Sequence, residues 1–377
     1  MKKKIAIITN VPSPYRVDFF YYLQTHYEDY EFSIIYYCND NMSRQWKADE
    51  DRILNSYYVP SKTIRIKKRF DDHFISFPVG VGRLLTKLAP EAVVAMEYSP
   101  AILQAMHWCQ KHKIPYVSWT DGTINSEKNI GRLQKLSRRY IFKRADAFIG
   151  SSHAAMENQL RYGALKEHCH ISMLTVDLDK YYINDRNGYP DKLLYVGSLI
   201  ERKGVDLLFN ALAQCNNTNI TLVIVGDGKE KENLTKLAKQ LGIIDRIEFK
   251  GFLAGDELRQ CYRDAGAFVL PTREDCFGLV LIEAMCAGLA IIASKYSDGA
   301  AETVTDGENG YIVDPYDAKE FARAIDAVFA VDDTAQARQQ LGAASFKATD
   351  KFRFENVAVG YLDAIEDALG ARECRKH

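Results

Sequence analysis

From Phe277 to Ile292 every residue is apolar or glycine except Glu283. A helix built on this run is buried nearly all round with one carboxylate in it, and a lone buried carboxylate is costly unless something satisfies it. Short apolar runs flank the segment, Ala267–Leu270 before it and Leu289–Ala293 after it, bounded by Pro271 and Gly288. They read as parallel strands buried on both faces, with the helix as their crossover. The loop Thr272–Cys276 then lies at the carboxyl edge of the sheet, where open α/β sheets bind ligands. Behind it the helix N-terminus offers backbone N–H groups to an anion. With a helix that starts near Asp275, Asp275 and Glu283 differ by roughly 80° around the axis and Glu274 and Glu283 by roughly 180°. Asp275 is therefore the better partner of Glu283. About 12 Å along the axis separates the two, a spacing suited to gripping two parts of one extended ligand. An N-cap acid with a Glu salt-bridged in the core fits the same segment.

A chain of 377 residues has room for two or three domains. Its 47% hydrophobic content supplies sizeable cores. Lys and Arg number 49 against 50 Asp and Glu, which gives no whole-chain case for nucleic acid. The eight cysteines form no C-x-x-C pair, as expected of reduced thiols in a cytosolic chain. Four apolar residues after Met1–Lys4 are too few for a signal peptide. No stretch approaches the roughly 20 apolar residues of a membrane span, so the expected location is cytoplasmic, with attachment at most to a membrane surface.

The chain opens with a buried strand, Ile5–Ile8, a turn-forming loop Thr9–Pro14 and an amphipathic helix Tyr15–Leu23. Arg16 then sits where it meets a phosphate, or else is a solvated helix residue. Phe32–Tyr37 is a second strand, and residues 39–75 read as polar and irregular, with a basic stretch Arg65–Arg69. Ala92–Met96 and Ile114–Trp119 are further strands; Asp121, just past the latter, is at the ligand edge, although Asp-Gly is also a common turn. Residues 131–146 make a basic amphipathic helix with six cations, suited to anionic lipid or to a solvated surface. Ala147–Gly150 and Ile171–Leu174 close the first sheet, and Asp177–Asp191 reads as a linker.

A second strand-helix series begins at Leu193–Val196, followed by a Gly-bracketed loop Gly197–Gly204 and a helix Val205–Cys215. Lys203 at that helix entrance is placed to bind phosphate as a point charge. Gly226-Asp-Gly228 repeats the pattern after Thr221–Val225 but lacks the third glycine of the dinucleotide fingerprint, and no P-loop is present, so a nicotinamide-dependent dehydrogenase is disfavoured. The architecture is two doubly wound α/β domains in series, with one cleft between their facing sheet edges.

Five motifs carry a family resemblance: Tyr195–Gly204, Val225–Gly228, Phe249–Phe252, Pro271–Gly278 with Glu283–Gly288, and Asp306–Pro315. In this order they resemble the retaining glycosyltransferases of the GT-B fold, family 4 (group 1). The resemblance implies two Rossmann-like domains facing a central cleft: an acceptor-side domain 1–178, a nucleotide-sugar domain 179–355, and a helix 356–377 packing back toward the first. It places the family's two-acid motif on Asp275 and Glu283, the second acid holding the nucleotide ribose and the first the donor sugar, with Glu274 sharing that role. Lys203 matches the lysine that neutralises the diphosphate. Ser198 stands where an arginine is usual, and Arg202 compensates. The donor site further takes in Gly197, Gly226, Cys276, Phe277, Gly278, Leu279 and Arg16; Phe252 matches the base-contacting region, and Asp121 falls at the family's cleft histidine.

A lysine and a helix N-terminus stabilise a departing diphosphate without a metal, so no cofactor is expected. The resemblance alone supplies retention of configuration. The implied function is transfer of a sugar, hexosyl in type, from a UDP-linked donor to a glycan or lipid-linked glycan in surface polysaccharide synthesis, at the inner face of the membrane. The alternatives are an epimerase on the same fold and a non-catalytic nucleotide-sugar-binding partner.

Overall fold

The computed structural model describes residues 1–38, 49–66, 73–186, 188–330 and 334–374. The chain forms two compact units, Met1–Asp177 with Phe354–His377, and Leu178–Arg353.

The first unit runs β1 (Lys3–Thr9), α1 (Pro14–His26), β2 (Tyr30–Tyr36), β3 (Ser56–Tyr58), β4 (Ser61–Ile66), β5 (His73–Pro78), α2 (Val81–Leu88), β6 (Ala92–Met96), α3 (Pro100–His112), β7 (Tyr116–Thr120), α4 (Arg132–Phe142), β8 (Ala147–Gly150), α5 (His153–Arg161) and β9 (Cys169–Ile171). Seven strands form a parallel sheet in the order β3-β2-β1-β6-β7-β8-β9. β1 lies between β2 and β6, with Ile5 opposite Phe32 and Ala92, and Ile5–Ile8 are buried on both faces because Ile5 and Ile7 enter one apolar cluster and Ala6 and Ile8 the other.

Residues 39–75 are not simply irregular. Where they are described they hold β3, β4 and β5, and β4 pairs antiparallel with β5. Only Thr63–Ile66 alternates polar and apolar residues, a short period-2 pattern preceded by the polar Ser61 and Lys62. Arg65 lies exposed on β4, while the rest of the basic stretch beyond Ile66 falls outside the described residues.

The second unit runs β10 (Lys192–Val196), α6 (Val205–Leu212), β11 (Thr221–Val225), α7 (Lys231–Gln240), β12 (Ile247–Gly251), α8 (Gly255–Arg263), β13 (Ala267–Leu270), α9 (Val280–Cys286), β14 (Ala290–Ser294), α10 (Ala300–Thr303), β15 (Gly310–Val313), α11 (Ala318–Val328) and α12 (Thr334–Lys347). Its six strands are all parallel in the order β12-β11-β10-β13-β14-β15. This is the doubly wound arrangement whose order reverses between the first strand and the fourth, here β10 and β13; ligands settle at that reversal, outside the carboxyl ends.

The last helix, α13 (Phe354–Cys374), belongs to the first unit. Val357, Ala358, Tyr361, Ala364, Ile365 and Ala368 recur at helical spacing and are buried with Phe19, Phe20 and Trp119. Tyr361 meets Trp119 and Phe19 edge-on, at ring-centroid distances of 5.4 and 5.5 Å. Gly360 permits this approach: a Cβ there would stand 1.9 Å from the Ile171 carbonyl oxygen of β9. Gly360→Ala should therefore destabilise the protein by about 1–3 kcal/mol through overpacking. Gly370→Ala, on the same helix with open space around it, should be neutral or stabilising by about 0.5–1 kcal/mol. Thermal denaturation of the two variants followed by circular dichroism checks this ordering.

Candidate functional site

Three loops meet at the carboxyl edge of the second sheet, and glycines let them touch. Gly204 has φ +67°, and a Cβ there would come within 2.1 Å of the Pro271 carbonyl oxygen. At Gly226 a Cβ would stand 1.9 Å from the Gly197 carbonyl oxygen. Backbone bonds fasten the same loops: Leu199 N–H donates to Asp227 O at 2.9 Å, and Arg273 N–H to Arg202 O at 2.8 Å.

Side chains complete the joint. Arg273 donates to both Asp206 carboxylate oxygens at 2.7 and 2.6 Å and to Glu201 O at 2.7 Å. Thr272 Oγ1 donates to Arg202 O and Glu274 O. Arg202 in turn reaches Glu274 O at 2.9 Å. The loop after β13 is thus fastened to the loop after β10 by both backbone and side-chain bonds.

Within this joint, Lys203 Nζ lies 2.5 Å from Asp275 Oδ2, and Arg202 Nη1 lies 3.6 Å from the same oxygen. Burial would push the Asp275 carboxyl up, yet Lys203 and Arg202 outweigh it and hold it below the usual carboxylate range. The structure therefore brings together Arg202, Lys203, Glu274 and Asp275 at the reversal of strand order.

Asp275 does not start the helix. It forms an isolated bridge with Ser297 and its N–H donates to Tyr296 O, whereas α9 begins at Val280 and has seven residues. The helix-face comparison between Glu274 and Asp275 consequently has no basis. Gly278, with φ +82°, turns the chain between the two. Phe277 is buried and its carbonyl accepts from Ser297 Oγ at 3.0 Å, Cys276 is partly buried, and Leu279 occupies the N-cap of α9.

Glu283 is met by two tyrosine hydroxyls: Tyr262 Oη donates to its carboxylate at 2.7 Å, and Tyr181 adds a second hydrogen bond. Burial raises its pKa despite these donors. Neither tyrosine stands out in sequence, because each lies far from Glu283 along the chain. Ser198 is exposed, its carbonyl taken by Tyr195 Oη at 3.0 Å, and Phe252 is 44% exposed.

The first unit carries its own polar cluster where β1 and β6 adjoin, the reversal point of that sheet. Arg16 is buried rather than solvated and donates to Thr9, Asn10 and, at 3.3 Å, to Asp121. Asp121 also accepts from Ser151 Oγ at 2.5 Å. Glu97, a residue sequence reasoning passed over, follows β6 in the left-handed region at φ +67°. Its carboxylate accepts from the Asp121 N–H at 3.0 Å and Thr120 Oγ1 at 3.1 Å. Burial, then the charge of Asp121, raises the Glu97 pKa well above the usual carboxylate range.

Tyr262→Phe removes a donor that lowers the Glu283 pKa, so the folded-state value rises further above the unfolded one. The variant should lose about 1–3 kcal/mol with Glu283 ionised. Because a raised carboxyl loses stability as pH climbs above its unfolded value of about 4.3, the deficit should be small near that pH and grow toward neutrality. Urea unfolding of both proteins across this range reads it directly; a deficit independent of pH would sink the assignment.

Residues 183–347 match the model of the family described as glycosyl transferases group 1. A D-inositol 3-phosphate glycosyltransferase of Streptomyces avermitilis is 28% identical over 309 residues, 76% of this chain and 64% of that protein. A lipopolysaccharide core biosynthesis glycosyltransferase of Rhizobium meliloti is 35% identical over 37% of this chain and 39% of its own. The chain thus matches less than two thirds of these relatives' lengths. Among solved structures, an Anabaena protein, HepE, in complex with UDP superposes with a TM-score of 0.76 at 17% identity, over 97% of this chain and 100% of that one. Residues 183–347 are thus similar to the glycosyl transferases group 1 family, and the two Rossmann-like units have the GT-B fold.

Proposed function

We propose that the protein is a retaining family 4 glycosyltransferase that moves a hexosyl group from a UDP-sugar to a glycan or lipid-linked glycan during surface polysaccharide synthesis, working at the cytoplasmic face of a membrane. The observation that carries this reading is the Arg202, Lys203 and Asp275 cluster at the strand-order reversal of the second sheet. Two cations held in place by an internal carboxylate suit the charge that develops on a departing diphosphate. The UDP bound by the Anabaena neighbour, and the glycosyltransferase names of the relatives, support the donor class.

In this reaction the bond from the anomeric carbon to the diphosphate oxygen breaks, and the diphosphate leaves with the electron pair. The acceptor hydroxyl oxygen bonds to the same carbon from the same face, and its proton passes to the leaving phosphate. Lys203 and Arg202 meet the growing phosphate charge, Asp275 with Glu274 holds sugar hydroxyls, and Glu283 holds the ribose. Gly197, Ser198, Gly226 and the backbone from Cys276 to Leu279 line the diphosphate and sugar, and Phe252 meets the base. Arg16 and Asp121 pair within the first unit. The electrostatic work falls to side chains, so no metal or other cofactor takes part.

Calorimetric titration with UDP, GDP and ADP, without and with magnesium, tests the donor assignment. UDP should bind selectively and independently of magnesium; selective binding of another nucleotide, or of none, overturns it. Lys203→Ala should cut UDP release from the donor by about 100- to 1,000-fold with folding intact. Glu283→Gln should weaken UDP binding more than Glu274→Gln.

A further inference from the structure

The helix α4 is basic, but not in the way its sequence suggests. Arg138 is withdrawn from solvent: it is paired with Glu127 and stacked over the Tyr98 ring at 4.3 Å. Ile141 and Phe142 are buried beside it. Arg144, just past the helix, lies half-buried over Tyr140 at 4.0 Å. At about 100° per residue, Arg132, Leu133, Lys135, Leu136, Arg139 and Lys143 share the opposite face, and all six are exposed.

The two leucines decide what this face is for. Leu133 is 82% exposed and Leu136 58%, one helical turn apart, and cations surround them. Single exposed apolar residues are ordinary on a protein surface. Here a pair is ringed by positive charge, and no Asp or Glu occurs from Lys128 to Ala145. A merely solvated helix places its apolar residues inward, as Ile141 and Phe142 do. A helix that lies in a lipid interface presents leucines to acyl chains and cations to headgroup phosphates.

We infer that the outer face of α4 is a docking surface for an anionic phospholipid bilayer, with Leu133 and Leu136 entering the interface and Arg132, Lys135, Arg139 and Lys143 contacting headgroups. This deepens the proposed action at a membrane, but it stands on the surface of the first unit and not on the donor site. The nucleotide titrations above and a lipid-binding test therefore fail independently.

The test is sedimentation of the purified protein with vesicles of phosphatidylglycerol and phosphatidylcholine in equal parts, and with vesicles of phosphatidylcholine alone, in the absence of nucleotide. Binding should occur with the first and be lost with the second. Lys135→Glu with Arg139→Glu should weaken it by about tenfold or more, as should Leu133→Ser with Leu136→Ser, a change at exposed positions that leaves the core untouched. Raised salt should weaken the wild type as well. Absence of binding to anionic vesicles, or binding indifferent to both double variants, overturns the inference. So does a monomer–dimer equilibrium abolished by the leucine changes, which would make the face a contact between two copies of this chain.

Discussion

A charge taken out of water needs another charge close by, and the carboxyl edge of the second sheet is built around that requirement. Asp275 is held ionised by Lys203 and Arg202; the two cations come from one side of the strand-order reversal and the carboxylate from the other. The pair forms only if the loop after β10 and the loop after β13 are in register. Gly204, Arg273 and Thr272 enforce that register through a close backbone approach, a two-pronged Asp206 contact and carbonyl bonds. With Arg202 beside Lys203, the Asp275 carboxylate has a second cation close by.

The first unit meets a similar requirement with different parts. Arg16 reaches from α1 across the end of β1 to Asp121 beyond β7, and Glu97 beyond β6 takes hold of the Asp121 backbone. Glu97 does this from a left-handed conformation that an ordinary side chain rarely adopts. Strained backbone conformations of this kind cluster at active sites, ligand clamps and switch regions of proteins.

Most of the strand-helix alternation was legible because parallel strands buried on both faces leave unbroken apolar runs, as at Ala92–Met96, Ala267–Leu270 and Leu289–Ala293. The loop holding Lys203 and that holding Asp275 were also legible, since glycines and prolines punctuate the ends of those strands. Three things were not. The start of α9 was placed at Asp275 because nothing local marks the intervening turn except Gly278. The donors to Glu283 come from Tyr181 and Tyr262, whose proximity is a property of the folded sheet. Arg138 counted as a surface cation because composition cannot tell which side of a basic helix finds a buried acid. Each miss is a long-range contact overriding a local pattern.

The place of α13 bears on how the chain acquires its structure during synthesis. The first unit is discontinuous: its final layer lies beyond the whole second unit in sequence. Until Val357–Ala368 have left the ribosome, Phe19, Phe20 and Trp119 lack the apolar stripe that covers them. The second unit, Leu178–Arg353, has all its strands available earlier. Domains usually mature in the order in which they are translated; here the half that begins first cannot cover its apolar face until the second unit has been made.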